Sequence, residues 1–420
     1  MSNSGKFQTA KLGSVCLKIG SGATPRGGKE VYLADGEFSL IRSQNVYNNQ
    51  FYPDGIAYIS QKQADELSNV EVQANDVLLN ITGDSVARCC QVPKYVLPAR
   101  VNQHVAIIRP NKDELDPRFL GYFLVSPQMQ EHMLTLASAG ATRNALTKSM
   151  IENFDVPRPE IFKQRSIAQI LGTLDDKIQL NKQMNEVLEE MAQAIFKSWF
   201  VNFDPVHAKA EGKKPFGMDK ETAVLFPDSF EDSDLGEIPK GWRIGNLEEI
   251  ISIESGKRPN EKSESQTSEF AVQLIGASGL MGYVKDKLYI EPIIVIGRVG
   301  THGVVQRILG HSFPSDNTLV IRTSFYEYVY QVMKKINYQS LNVGSTQPLI
   351  TQSSIKVCKI LIPDKMALLK FEELASGLFK KIQSNNEENK ILSQLRDMLL
   401  PKLMLGEIRV NLKKLEGVIS

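Results

Sequence analysis

The chain has 420 residues and carries 49 Lys+Arg against 48 Asp+Glu, a formal net charge of +1. Its length calls for two or three domains, and 42% hydrophobic with 23% charged residues excludes a highly charged disordered tail. Near-neutrality excludes a uniformly basic, sequence-blind nucleic-acid binder but leaves room for a local basic patch. Cys16, Cys89, Cys90 and Cys358 form no CxxC pair, and the histidines form no HExxH, so no disulfide framework and no metal site are expected. The polar stretch Met1 to Lys11 lacks the apolar core of a signal peptide, and no apolar run is long enough to span a bilayer. A soluble, cytoplasmic protein without membrane contact is the expectation.

In chain order, residues 1–158 read as a first globular segment of α+β or mostly β character. Val77-Leu78-Leu79 and Val105 to Ile108 are strand-sized apolar runs, and Pro117 to Leu136 reads as a helix. Residues 159–203 follow as a long helix. Ile167, Leu171, Leu174, Ile178, Asn181, Asn185, Leu188, Ala192, Ile195 and Trp199 alternate in steps of four and three, the spacing of a coiled-coil seam. Its closing aromatics Trp199, Phe200 and Phe203 suit either local packing or a docking surface. Residues 204–240, with prolines, glycines and acidic residues, read as a linker.

Residues 241–363 form a second globular segment, with strand-like Ile293 to Ile296 and Thr318 to Ile321 and a helix from Ser324 to Ile336. A second long helix spans 364–410, with seam positions Phe371, Ala375, Leu378, Ile382, Asn385, Asn389, Leu392, Arg396, Leu399 and Leu403. Residues 411–420 are a C-terminal tail.

These segments repeat. GATRNALTKSMIENFDVPRP from Gly140 sets against GSTQPLITQSSIKVCKILIP from Gly344, and Lys177-Ile178-Gln179 lies on Lys381-Ile382-Gln383 at the same offset of 204 residues. Asn102 to Arg109 resembles Ser315 to Arg322, and Ser21-Gly22 resembles Ser255-Gly256. The offset grows toward the N-terminus, so the first globular segment carries insertions. The chain is a tandem duplication of a domain followed by a helix. Asparagines recur at matching seam positions, where buried polar layers set register and partner choice. The two helices are therefore expected to pack on one another.

Three further blocks carry a family likeness: FKSWFVNFDP at Phe196 to Pro205, GEIPKGW at Gly236 to Trp242, and LLPKLMLGEI at Leu399 to Ile408. On these and on the duplicated plan, the chain resembles the specificity (S) subunit of type I restriction–modification systems along essentially its whole length. That resemblance implies two target-recognition domains, each followed by a conserved spacer helix, the helices forming an antiparallel coiled coil with pseudo-two-fold symmetry. It implies double-stranded DNA, two methyltransferase (M) subunits and, in a restricting complex, restriction (R) subunits as partners. It implies no cofactor in this chain, with S-adenosylmethionine and ATP/Mg on the partner subunits. A helix of about 38 residues is about 57 Å long. That is enough to separate two half-sites by a helical turn of DNA, about 34–36 Å. A bipartite, asymmetric target follows from the unlike sequences of the two domains.

Base readout uses Arg for guanine and Asn or Gln for adenine, and phosphate contacts use cations, hydroxyls and loop N–H groups. The candidates in the first segment are Thr24, Arg26 and Lys29, which lie in a loop like the Gly-Thr-Pro loop of these domains. Arg42, Gln44 and Asn45 follow, then Thr142, Arg143 and Asn144. In the second they are Lys257, Arg258, Arg298, His302, Thr346 and Gln347. A Gly-rich cofactor loop, an Asn/Asp-Pro-Pro-Tyr/Phe block and a P-loop are missing from the sequence, so a reader without chemistry of its own is expected. Two alternatives stay open: a self-sufficient DNA modification enzyme with diverged motifs, and a coiled-coil interaction scaffold without a DNA role.

Overall fold

The computed structural model describes residues 7–139, 144–234, 236–299, 303–341 and 349–408. The chain forms two compact units: 1–181 with 387–420, and 182–386. Each combines one globular segment with half of each long helix.

In unit 1 the strands that matter are β1 (Cys16–Ser21), β2 (Phe38–Ile41), β3 (Ala57–Ile59), β4 (Val77–Asn80), β5 (Cys89–Gln91), β6 (Ala99–Val101) and β7 (Val105–Pro110). One sheet has the order β1-β7-β4-β5 and the other β3-β2-β6, the latter extended by Glu71–Val72. The strand-sized runs at Val77 and Val105 are central and fully buried, which is why they read as continuous apolar stretches and not as alternation. The helix expected over 117–136 is two helices, α1 (Pro117–Val125) and α2 (Pro127–Ser138). Pro127 disfavours the helical conformation at Ser126 and starts the next helix at its first position. Next comes the first long helix, α3 (Ile161–Phe200).

Unit 2 repeats the plan with β8 (Ser252–Ser255), β9 (Val272–Gly276), β10 (Gly279–Val284), β11 (Ile293–Gly297), β12 (Val305–Ile308), β13 (Ser312–Pro314) and β14 (Thr318–Arg322). The sheet orders are β8-β14-β11-β12 and β10-β9-β13. Helix α4 (Tyr326–Lys335) and the second long helix, α5 (Lys365–Met404), complete it.

The faint upstream echo of the repeat is a matched register. Ser21 lies opposite Ala106 and Ser255 opposite Leu319; Asn80 lies opposite Val105 and Gly297 opposite Thr318. In both units the second sheet contains one parallel pair, β2 with β6 (Ser39 opposite Ala99) and β9 with β13 (Gln273 opposite Ser312). The insertion is equally specific. Between β2 and β3 the chain makes an excursion over residues 42–56, where the β9–β10 hairpin turns through Ala277 and Ser278 alone.

Residues 204–240, expected to be a linker, are folded into unit 2. Short helices at Asp204–Ala210 and Lys220–Val224 lead to a hairpin of Phe230–Ser233 with Gly236–Pro239. Val206, Met218 and Phe226 are buried in the same core as Trp199, Phe200 and Trp242. Apolar anchors spaced along the segment decide this against its loop-like composition. Trp199 and Phe200 are packed by Phe226, Trp242, Tyr328 and Phe371, so these helix-end aromatics are core and not surface.

The seam is formed in both units. Leu174, Ile178, Leu188, Leu378, Ile382 and Leu392 are all buried or half-buried. In unit 1, Asn181 Nδ2 donates to Asn389 Oδ1 at 2.9 Å and to Glu388 at 2.8 Å. In unit 2, Asn385 Nδ2 donates to Asn185 Oδ1 at 2.8 Å. Each pair is the image of the other in the repeat, and within each unit the helix halves run antiparallel.

Candidate nucleic-acid interface

The loops after β1 and β8 each carry a glycine for a reason unrelated to phosphate. Gly22 N–H donates to Val105 O at 2.8 Å, and Gly256 N–H donates to Thr318 O at 3.1 Å. A Cβ on Gly22 would sit 2.1 Å from Val101 O, and one on Gly256 2.2 Å from Ser315 O. Only a residue without a side chain lets the chain cross the neighbouring strand this closely. Beyond the crossing, Thr24, Arg26 and Lys29 in unit 1 and Lys257 and Arg258 in unit 2 are exposed. Both loops thus present cations to solvent from equivalent places.

The excursion 42–56 sorts its candidates sharply. Asn45 is fully buried: its Oδ1 accepts from Arg42 N–H at 3.0 Å, and its Nδ2 donates to Tyr52 O at 2.8 Å and Asp54 O at 3.3 Å. Its amide is spent on closing the loop and has no edge left for a base, so Asn45 is a correction to the expected contact set. Arg42 is half-buried, donates to Gly55 O and lies over the Tyr32 ring at 5.6 Å, a loop brace as well. Gln44 is exposed and reaches Gly55 O at 3.2 Å.

Gln44 also lines an open cleft of about 710 Å³ in unit 1, together with Tyr47, Thr82, Asp84, Ser85, Arg88, His104 and Asn144. Four separate stretches meet there. The excursion supplies Gln44 and Tyr47, the β4–β5 connection supplies residues 82–88, the turn before β7 supplies His104, and Asn144 comes from the segment leading toward α3. Backbone bonds hold them together: Ile81 N–H donates to His104 O at 3.0 Å, and Leu146 N–H donates to Ile81 O at 2.8 Å. Gly83 N–H donates to Asn144 O at 3.2 Å. Thr82 Oγ1 and His104 Nδ1 are 2.6 Å apart, and Gln103 Nε2 lies 3.1 Å from His104 Nε2. The cleft mixes donors, acceptors and an aromatic face, the chemistry of base edges more than of phosphate.

Unit 2 has the same bracing at its own hairpin. Arg298 N–H donates to Asn317 O at 3.0 Å and Ile350 N–H donates to Arg298 O at 2.9 Å. The half-buried Arg298 therefore occupies the place of Ile81. Thr142, Arg143, His302, Thr346 and Gln347 lie outside the described residues. The β4–β5 residues Thr82, Ser85 and Arg88, with Tyr47 and His104, were not singled out from sequence. The signal available was the turn Thr82-Gly83-Asp84-Ser85 between two strand-like runs.

All four cysteines are free. Burial pushes the Cys90 thiol up to about 12, which keeps it protonated and unreactive. Among the described residues no group of three His, Cys, Asp or Glu could hold a metal ion, and no described helix is long and apolar enough to cross a membrane.

A duplicated strand frame, each copy carried on long-helix halves and one copy facing a polar, arginine-bearing cleft, defines a paired recognition protein. The chain belongs to the family of type I restriction modification DNA specificity domains, whose model matches residues 5–190 and 239–396. It is 29% identical to the type I restriction enzyme MjaIX specificity subunit of Methanocaldococcus jannaschii, over 94% of this chain and 92% of that one. It is 27% identical to the HindI specificity subunit of Haemophilus influenzae, over 88% of this chain and 94% of that one. The fold matches the crystal structure of a type I S subunit from M. genitalium with a TM-score of 0.60 at 16% identity, covering 96% and 97% of the two chains.

Proposed function

We propose that this chain reads a bipartite, asymmetric double-stranded DNA target, one half-site per unit, and presents it to two M subunits and, where restriction occurs, to R subunits. One observation carries the reading: two units share a strand register but differ in what they hang on it, above all the excursion 42–56. Equal frames make two equivalent docking modes, and unequal inserts make two different half-sites. Arg26, Lys29, Lys257 and Arg258 supply phosphate contacts from equivalent loops, while Gln44 and Asn144 face base edges. The helix pair spaces the half-sites.

Partner docking has its own support. On the long helices, Met184, Val187 and Met191 in unit 2 and Ile391, Leu395 and Met398 in unit 1 are exposed at helical spacing. Val187 and Met191 are the repeat images of Ile391 and Leu395, so two like subunits would find two like stripes. Methyl transfer with S-adenosylmethionine and ATP/Mg-dependent work then belong to partners, in the cytoplasm, with this chain as the non-catalytic reader.

The test is methylome sequencing of cells with and without the chain, and with residues 20–156 exchanged for those of a relative. One half-site should change and the other stay. Methyl transfer by the purified chain alone would instead establish the self-sufficient enzyme. Adding four residues, about one turn, to each long helix should lengthen the gap between half-sites; an unchanged gap sinks the spacing role.

A further inference from the structure

We propose that Arg88 reads a guanine in the first half-site, with Tyr47 as the platform that aims it. This rests on the DNA-reading function above and names one of its determinants.

Arg88 is half-buried in the cleft, its guanidinium 4.5 Å from the Tyr47 ring centroid, and Tyr47 is in turn packed edge-on by Tyr52 at 4.7 Å. Stacking on an aromatic face fixes the plane of a guanidinium while leaving its N–H groups free at the edge. Four other arginines of unit 1 are spent: Arg109 on Asp76 at 2.7 Å, Arg118 on Asp176, Arg158 on Glu114 at 2.6 Å, and Arg100 on Ala64 O at 3.0 Å. Among the described residues no carboxylate or carbonyl takes the Arg88 guanidinium.

The backbone aims it too. Ala87 is fully buried at φ +72°, a left-handed conformation that costs a non-glycine residue about 1 kcal/mol or more. It is held by Ala87 N–H donating to Asn80 O at 2.9 Å and Asn80 N–H donating to Arg88 O at 2.8 Å. The turn is thus over-determined, and Arg88 leaves it in one direction.

The surroundings favour a base over a phosphate. Asp84 shares the cleft with Arg88, and a carboxylate there repels a phosphate but can accept from the amino group of a cytosine. A planar, pre-aimed guanidinium matches guanine O6 and N7 in the major groove. By register, Val304 stands in unit 2 where Arg88 stands in unit 1, since Cys89 faces Leu79 as Val305 faces Ile296. The guanine contact therefore belongs to one half-site and contributes to the asymmetry of the target.

The experiment is methylome sequencing of cells expressing the full chain with its partner subunits, as wild type, Arg88→Ala and Arg88→Lys. Duplex binding with 7-deazaguanine placed at each guanine in turn accompanies it. Arg88→Ala should relax one guanine of the first half-site, with about 10- to 100-fold lost discrimination there and the second half-site intact as the folding control. Arg88→Lys should relax it as well, and 7-deazaguanine at that position should weaken wild type but not Arg88→Ala. An unchanged motif in Arg88→Ala, or full discrimination in Arg88→Lys, overturns the guanine contact and leaves the DNA-reading function standing. Wild-type methylation without any dependence on this chain overturns both.

Discussion

The two units are built on one register and bolted to their helices by different chemistry. At the helix position where unit 1 has Asp175, unit 2 has its repeat image Phe379. Asp175 accepts from Tyr122 OH at 2.6 Å and from Arg396 at 2.7 Å, and next to it Asp176 holds Arg118. Arg118 passes over Gly172, where a Cβ would lie 2.3 Å from its guanidinium carbon. Phe379 instead lies under Arg307 at 3.6 Å, with Tyr326 and Tyr330 each 5.3 Å away, and Arg307 pairs with the buried Glu327. Glu372 caps α4 by accepting from Glu327 N–H at 3.0 Å and Tyr328 N–H at 2.8 Å. After duplication, backbone geometry kept its constraints while side-chain solutions diverged. A frame requires one path for the chain, whereas a bolt requires only that buried groups be satisfied.

The comparison breaks most visibly at the bolts. Above pH 7, where Glu327 is ionised, Arg307→Ala leaves it buried and unpaired and should cost about 3–5 kcal/mol. The partly exposed Arg118→Ala should cost about 1 kcal/mol. Denaturant unfolding of the full chain compares them, and equal losses would mean that the bolts are equivalent.

The shared frame makes the opposite prediction. Gly22→Ala and Gly256→Ala should each cost about 3 kcal/mol by the same overlap with a neighbouring carbonyl. Similar losses in urea titrations support one frame. A harmless change at either position shows that this crossing is not required there.

Acidity separates the units again. Burial pushes Glu327 up to about 7 despite Arg307, and raises Glu372 as well. A carboxyl whose folded pKa exceeds its unfolded value adds stability in full below about 4.5, and that stability is lost as pH rises through about 7. The free energy of unfolding should therefore decrease as pH rises from 5 to 7, by at most about 1.4 kcal/mol per pH unit for each such carboxyl. Glu327→Gln should flatten that slope, and a slope unaltered by it assigns the effect elsewhere.

The smallest effect is expected at the seam. Asn181→Leu with Asn385→Leu should raise stability by about 1–2 kcal/mol while loosening helix register. Cysteine crosslinking across the seam reads the register, and a single retained pairing would deny the asparagines that role.

The sequence by itself determined the duplication, the long helices with their seam and the buried central strands. Each of these is written in local periodicity or in direct repetition. It also placed the loop cations, because charged residues beside a turn stay in water. Only the tertiary structure decided that residues 204–240 fold into unit 2, where three spaced apolar anchors outweigh a loop-like composition. It decided that Asn45 is a loop brace, since a buried amide and an exposed one have the same spelling. The cleft lay furthest from sequence. Tyr47, Arg88, His104 and Asn144 are distant along the chain and meet because strand register and one left-handed alanine bring them together. Pattern reports which face a residue takes, but which side chains meet is settled by the register of strands that are not neighbours in sequence.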